Sequence, residues 1–313
     1  MVDLMKEEAK VIEETEVLAV QRVKKLLMIS TSGTLHIHSL WLVRRELGLP
    51  DDFRHSVLPK YSEDFRIVNS EIVALVSRDE SLAVEEVEKW REKEYREKWL
   101  SEYETKFAFP INFPTGFKIE KGFREKLKNW QRLRYFKPYE RLESVRPHSC
   151  GGVERFEKHV VGVIHEFLSL TVEKMVEVER LSHFRKDFSI ETNMRELLLK
   201  HPGIFYISTK GCTQTVFLRE AFHKGCLIEP NQVCAVRRKM LDLIVLGCRS
   251  SRNLLDIAGM KESSSDSESV GLHDGDWLIP ISESFDSQNV EIENESSGTS
   301  NEEAGRSSNN GRL

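Results

Sequence analysis

Lys121, Arg124, Lys128 and Arg132 recur every three or four residues within Glu120–Leu133. On a helix at 100° per residue that spacing makes one narrow cationic stripe. Phe123, Leu127, Trp130 and Leu133 share a sector on the opposite side. Arg134 and Lys137 follow, interleaved with Tyr135, Phe136 and Tyr139. Cations neutralise phosphates and exposed rings stack on unpaired bases, so the pattern fits contact with a single-stranded polyanion. A solvated helix face above a buried aromatic seam produces the same pattern and is, for one helix out of context, its commoner origin.

The motifs of covalent and phosphate chemistry are missing. There is no G-x-S-x-G, no P-loop, no G-x-G-x-x-G and no H-E-x-x-H. His36 and His38 are two apart, which places both on one face of a strand, but no Cys or carboxylate stands nearby at ligand spacing, so no metal is expected. Five cysteines form no C-x-x-C pair, which fits free thiols in a reduced compartment. No apolar run approaches the roughly 18 residues of a membrane span. The expectation is a non-enzyme with no cofactor, no small-molecule substrate and no membrane partner.

Charge is unevenly spread along the chain. The formal net charge of the 313 residues is −5, yet residues 261–313 carry twelve acids against three bases and residues 1–20 six against two. The stretch between them therefore stands at +8, a basic body with acidic ends that suits a polyanion partner. Three regions follow: an acidic segment at 1–20, a folded body at 21–249, and a Ser-, Asn- and acid-rich tail at 250–313 expected to be disordered. Within the tail, Trp277-Leu278-Ile279-Pro280-Ile281 is either a short interaction motif or a chance cluster. The N-terminus lacks the Arg- and Ser-rich, acid-poor composition of a transit peptide.

Two stretches must position these groups, and they share one order. Leu181, Phe184 and Phe188, then Met194, Leu197 and Leu198, mark two short helices. His201-Pro202-Gly203 stops the second, and Ile204–Ser208 with Thr215–Leu218 reads as a hairpin turning near Gly211. Earlier in the chain stand a helix around Leu40–Leu47, a break at Gly48-Leu49-Pro50, a helix over Phe53–Leu58, and a hairpin over Phe65–Val68 and Ile72–Val76. At an offset of 141, Arg44, Arg45, Leu47, Leu49 and Arg54 fall on Arg185, Lys186, Phe188, Ile190 and Arg195. After a one-residue slip, Leu58, Lys60 and Phe65 fall on Leu198, Lys200 and Phe205. A divergent duplication accounts for this. The repeated cations (Arg44, Arg45, Arg54, Lys60, Arg185, Lys186, Arg195 and Lys200) join the candidate contacts, because a fold alone does not require them. Helical patterns also cover Val17–Ile29, Glu80–Lys106, Glu154–Phe184, with Ser169 or Thr171 as the candidate start of a second helix within it, and Val233–Leu246, while Pro110 and Pro114 keep Phe107–Phe117 extended. The fold class is mainly α with short β-hairpins (α+β), as two winged-helix-like helix-helix-hairpin units joined by helical segments.

The run LLLKHPGIFYIS followed by TVFLREAF resembles the plant organelle RNA recognition (PORR) domain of the "What's this factor" splicing factors. LGLPDDFRHSVLPKYSEDFRIV, FAFPINFPTGF and VVGVIHEFLSLTVEK fit the same family in its order, so the resemblance covers roughly residues 21–246. It implies binding of organellar intron RNA, together with other splicing factors, in support of group II intron splicing, with the RNA supplying the chemistry. It also implies a mitochondrial location, or else a chloroplast one; with no transit peptide visible, either the true start lies upstream of Met1, the favoured reading, or this member is not imported. The residues alone leave two rivals open. One is a winged-helix regulator reading duplex DNA, for which the candidate helices are short. The other is an interaction scaffold that binds no nucleic acid.

Overall fold

A computed structural model describes residues 2–98, 102–114, 116–118, 121–140 and 152–257. Val2–Glu14 (α1) and Glu16–Ile29 (α2) open the chain. α2 buries Ala19, Val20, Val23, Leu26 and Leu27, as its apolar spacing requires. Thr34–His36 (β1) is followed by Ile37–Leu42 (α3), Arg44–Leu47 (α4) and Phe53–Lys60 (α5). The hairpin Phe65–Val68 (β2) and Ile72–Leu75 (β3) closes the unit. β3 lies in the middle, antiparallel to both β1 and β2.

Glu86–Lys98 (α6), Glu102–Thr105 (α7) and Phe123–Arg132 (α8) lie in the stretch before the second unit. That unit repeats the first: Gly152–Leu170 (α9), Met175–Glu177 (β4), Val178–Ser182 (α10), Met194–Lys200 (α11), Phe205–Ser208 (β5) and Thr215–Leu218 (β6). Its sheet order, β4-β6-β5, is the order of the first sheet. A small ribbon of Phe222–His223 (β7) and Cys226–Leu227 (β8) leads into the closing helix Gln232–Ile257 (α12).

The duplication holds down to single backbone bonds. Leu47, Leu49, Leu58 and Phe65 are buried, and so are Phe188, Ile190, Leu198 and Phe205. Leu49 N–H donates to Arg44 O at 2.8 Å, and Ile190 N–H to Arg185 O at 2.8 Å. The two units also bind each other reciprocally. Thr31 N–H donates to Asp187 O at 3.0 Å, while Val172 N–H donates to Glu46 O at 2.7 Å. Thr31 and Val172 are related by the same offset of 141 as Glu46 and Asp187, so each unit gives the other the bond it receives. α2 and α9, the long helices of the two units, pack together at the centre.

The left-handed turn after each short helix pair differs in one telling way. The first unit turns on Gly48 at φ +75°, the second on Ser189 at φ +52°. An L side chain in that region costs about 1–2 kcal/mol, partly offset by the greater unfolded freedom of glycine. Ser189→Gly is therefore expected to stabilise the protein by about 0.5 kcal/mol. A urea midpoint at or below that of the unsubstituted protein would contradict this.

Several elements depart from their sequence patterns. Glu154–Phe184 is not one helical stretch, because α9 stops at Leu170 and β4 follows. Thr171 donates both its N–H and its hydroxyl to Leu168 O, and Lys174 sits at φ +54°. Val176 is then free to pair with Val216 as a buried strand residue. Glu80–Lys106 is likewise interrupted, with α6 starting only at Glu86. α8 begins at Phe123, after Gly122 at φ +83°, and Leu133 is already extended. α12 runs on to Ile257, past the expected end at Leu246. At the other end α1 lies against α12, with Arg237 paired to Glu8 at 2.7 Å and Lys239 to Glu7 at 2.9 Å. The rest of the expected disordered tail, with its Trp277–Ile281 cluster, lies outside the described residues. Among the described residues no helix is long and apolar enough to cross a membrane.

Candidate nucleic-acid interface

α8 is held from three sides. The Gln131 amide clamps the backbone of Phe109: Phe109 N–H donates to Oε1 and Nε2 donates to Phe109 O, each at 2.8 Å. Lys158, on α9, reaches the end of the helix and donates to the carbonyls of Trp130, Gln131 and Leu133 at 2.6, 2.9 and 2.8 Å. A buried cation at a helix C-terminus satisfies carbonyls that have no partner within the helix. Burial and the nearby Arg91 pull the Lys158 ammonium down to about 6, while three acceptors in one cap call for the three donors of its charged form. The Trp130 ring lies 4.9 Å from the His201 ring, which ties α8 to the second unit.

The stripe is only partly as the sequence draws it. Lys121, Arg124 and Lys128 are exposed, with no hydrogen bond or ion pair among the described residues. Arg124 and Lys128 border a shallow hollow of about 250 Å³ with Glu104, Leu127, Gln131 and Arg132. Arg132 is pulled down to Glu104 in an ion pair and is half-buried. Arg134 stays exposed.

Tyr135 corrects the sequence reading outright. It is 2% exposed, accepts from Arg91 Nη2 at 2.7 Å and donates to Glu85 at 3.0 Å, so it offers no ring to a base. Lys137 is paired with Glu88, and Tyr139 donates to Glu166 at 2.6 Å. Tyr135 and Tyr139 thus lie in the core, where the buried acids Glu85 and Glu166 meet them. Burial pushes the Glu85 carboxyl up to about 7 against the pull of Arg91. Arg91 is itself 4% exposed and fixed by Glu85, Glu88 and the Ala108 carbonyl, a buried network that holds α6 against the segment entering α8.

Several of the repeated cations are bonded within their own unit. Lys60 pairs with Glu16 at 2.6 Å and Lys200 with Glu157 at 3.1 Å, and the two acids are themselves 141 apart. Arg44 binds Asp51 at 2.7 Å and the Trp41 carbonyl at 2.8 Å, while Arg185 reaches the carbonyls of Ile190 and Glu191. Arg54 is exposed with one bond, to Ser70 O at 2.9 Å. Arg45, Lys186 and Arg195 are exposed and carry no hydrogen bond of their side chains among the described residues.

Two features were not read from the sequence. Trp41 is 45% exposed, with the Arg44 guanidinium 4.2 Å from its ring centroid and the His38 ring parallel to it at 6.2 Å. The apolar side of α8 is also left partly open, above a groove of about 690 Å³ that faces the His201–Gly203 turn. Among the described residues no group of three or more His, Cys, Asp or Glu is placed to hold a metal ion.

The sequence that folds into these two units, each a strand, short helices and a hairpin, matches a known domain along most of the chain. The chain belongs to the plant organelle RNA recognition domain family, whose profile covers residues 1–249. It is 39% identical over 260 residues to the protein Root primordium defective 1 of Arabidopsis thaliana, covering 80% of this chain and 64% of that one. To What's this factor 1, chloroplastic, of Zea mays it is 34% identical over 248 residues, 77% of this chain and 49% of that one. To What's this factor 9, mitochondrial, of Arabidopsis thaliana it is 31% identical over 230 residues, 71% and 57% of the two chains. The chain thus spans about half to two thirds of the length of these relatives. No solved structure matches it.

Proposed function

We propose that this protein is a non-catalytic RNA-binding factor of a plant organelle that supports group II intron splicing. The observation that carries the reading is the set of Arg124 and Lys128 on α8 and Lys121 in the turn before it, open and unpaired among the described residues, in a chain of an RNA recognition family. Cations without an internal partner lose little on meeting phosphates, since no ion pair has to be broken first. The RNA supplies the chemistry. The protein holds a folding-competent conformation of it, alongside other splicing factors. The duplex-DNA reading is weaker, because the helices that would enter a major groove, α5 and α11, are about two turns long.

Relatives named chloroplastic and mitochondrial support an organellar location, of which the mitochondrion is the first choice here and the chloroplast the second. Immunoprecipitation of the tagged full-length protein from isolated mitochondria and chloroplasts tests both statements. Intron-containing transcripts should be enriched from one organelle. Recovery of no organellar RNA from either would sink the proposal.

A further inference from the structure

The groove beside α8 has the make-up of a ligand site. Its volume of about 690 Å³ falls within the range of small-ligand pockets, about 300–1,000 Å³. Phe113, Phe123 and Trp130 form an aromatic wall that remains half-exposed, and no residue of α8 is buried. The aromatic residues are braced by the His201–Gly203 turn, where a Cβ on Gly203 would come within 3.1 Å of the Phe113 ring. Asn112 N–H donates to Gly203 O at 2.8 Å, and a Cβ on Gly203 would come within 2.6 Å of the Ile111 side chain. Gln131 and Lys158 fix the helix on its other sides, so the groove is formed before any ligand arrives.

Its polar groups sit at the rim. Asn129 and Lys126 are exposed and have no side-chain partner among the described residues. Lys200 is on the far rim, 57% exposed, and Glu154 is the only carboxylate in the lining among the described residues. Leu127 borders both this groove and the hollow beside Arg124 and Lys128, so a strand crossing α8 meets cations on one flank and rings on the other.

We propose that this groove takes one unpaired base of a single RNA strand. The base lies against the Phe113, Phe123 and Trp130 wall, Asn129 meets its polar edge, and Lys126 meets a neighbouring phosphate. This rests on the RNA-binding reading and adds the seat. An aromatic wall stacks any base, since every base has a π-face, while the Asn129 amide can both donate to and accept from its edge.

The test is an abasic scan of a short oligouridylate, in which each position in turn lacks its base. One position should lower affinity about 5- to 150-fold, the range of a single stacked base. Asn129→Trp fills the groove from its exposed rim without removing a buried side chain. In that variant the penalty at the sensitive position should vanish, a non-additivity that a general loss of affinity would not produce. Independently of any variant, 4-thiouridine at that position of the strand should crosslink to a peptide containing Phe113, Phe123 or Trp130. A full penalty retained in folded Asn129→Trp, or crosslinks confined to other peptides, overturns the base seat and leaves the groove to an apolar peptide. The two readings fail differently. If the unsubstituted protein binds no single-stranded RNA at low salt, the RNA-binding reading itself falls. If it binds with a normal salt dependence but no position is sensitive, only the seat falls.

Discussion

Alanine at Lys121, Arg124 and Lys128 together is expected to make the plot of log K against log salt shallower by about 2 units. On a single strand each phosphate that the protein neutralises adds about 0.7 to that slope, and the variant gives up three of them. Arg132 is left out because its guanidinium is committed to Glu104. The three remaining side chains are exposed and have no bond among the described residues, so their removal should change stability by less than about 0.5 kcal/mol. Affinity should fall alike for target and non-target RNA, since binding to phosphates fixes position and carries little sequence information. A salt titration of both proteins on one RNA makes the measurement. A folded variant with an unaltered slope would move the RNA surface to Arg45, Arg54, Lys186 and Arg195, the exposed cations of the repeated units.

Phe205→Ala should cost about 3–5 kcal/mol, the usual range for truncating a large buried ring. Phe205 is 1% exposed at the start of β5, opposite Leu218, and its N–H is bonded to His201 O at 3.0 Å. Phe65 holds the same place in the first unit, opposite Leu75, with its N–H on Tyr61 O at 3.0 Å. The loss is a large part of the about 5–15 kcal/mol that stabilises an ordinary domain, so RNA binding should disappear through unfolding. Urea titration should show a lower midpoint with the slope m retained. A midpoint within error of the unsubstituted protein would mean that the ring is not part of the core.

Much of this architecture is legible in the residues. Both hairpins and the duplication can be read because a buried apolar position in one unit has a buried apolar partner 140 or 141 residues on, as with Leu47 and Phe188. β4 is hidden because a three-residue strand with Val176 at its centre sits inside an apolar spacing that also suits a helix. The turn before it is hidden too. The first unit makes it at Gly33, φ +66°, a visible signal, and the second at Lys174, φ +54°, which no residue type announces. Tyr135 is misread for a different reason: its partners, Arg91 and Glu85, lie 44 and 50 residues away, beyond the reach of any local pattern. The open side of α8 depends on what does not pack against it, and periodicity cannot show that.

The paired bonds Thr31–Asp187 and Val172–Glu46 relate the two units as subunits of an isologous dimer are related, each using the same patch on the other. A receptor with that symmetry would offer a linear ligand two equal and opposed seats. An RNA strand has a 5′ end and a 3′ end, so such a receptor would hold it in either sense with the same affinity. α8 lies outside the repeat and is fastened to the second unit through Lys158 and His201. Under the RNA-binding reading proposed above, a cationic helix attached to one half would give a strand lying across it a single polarity.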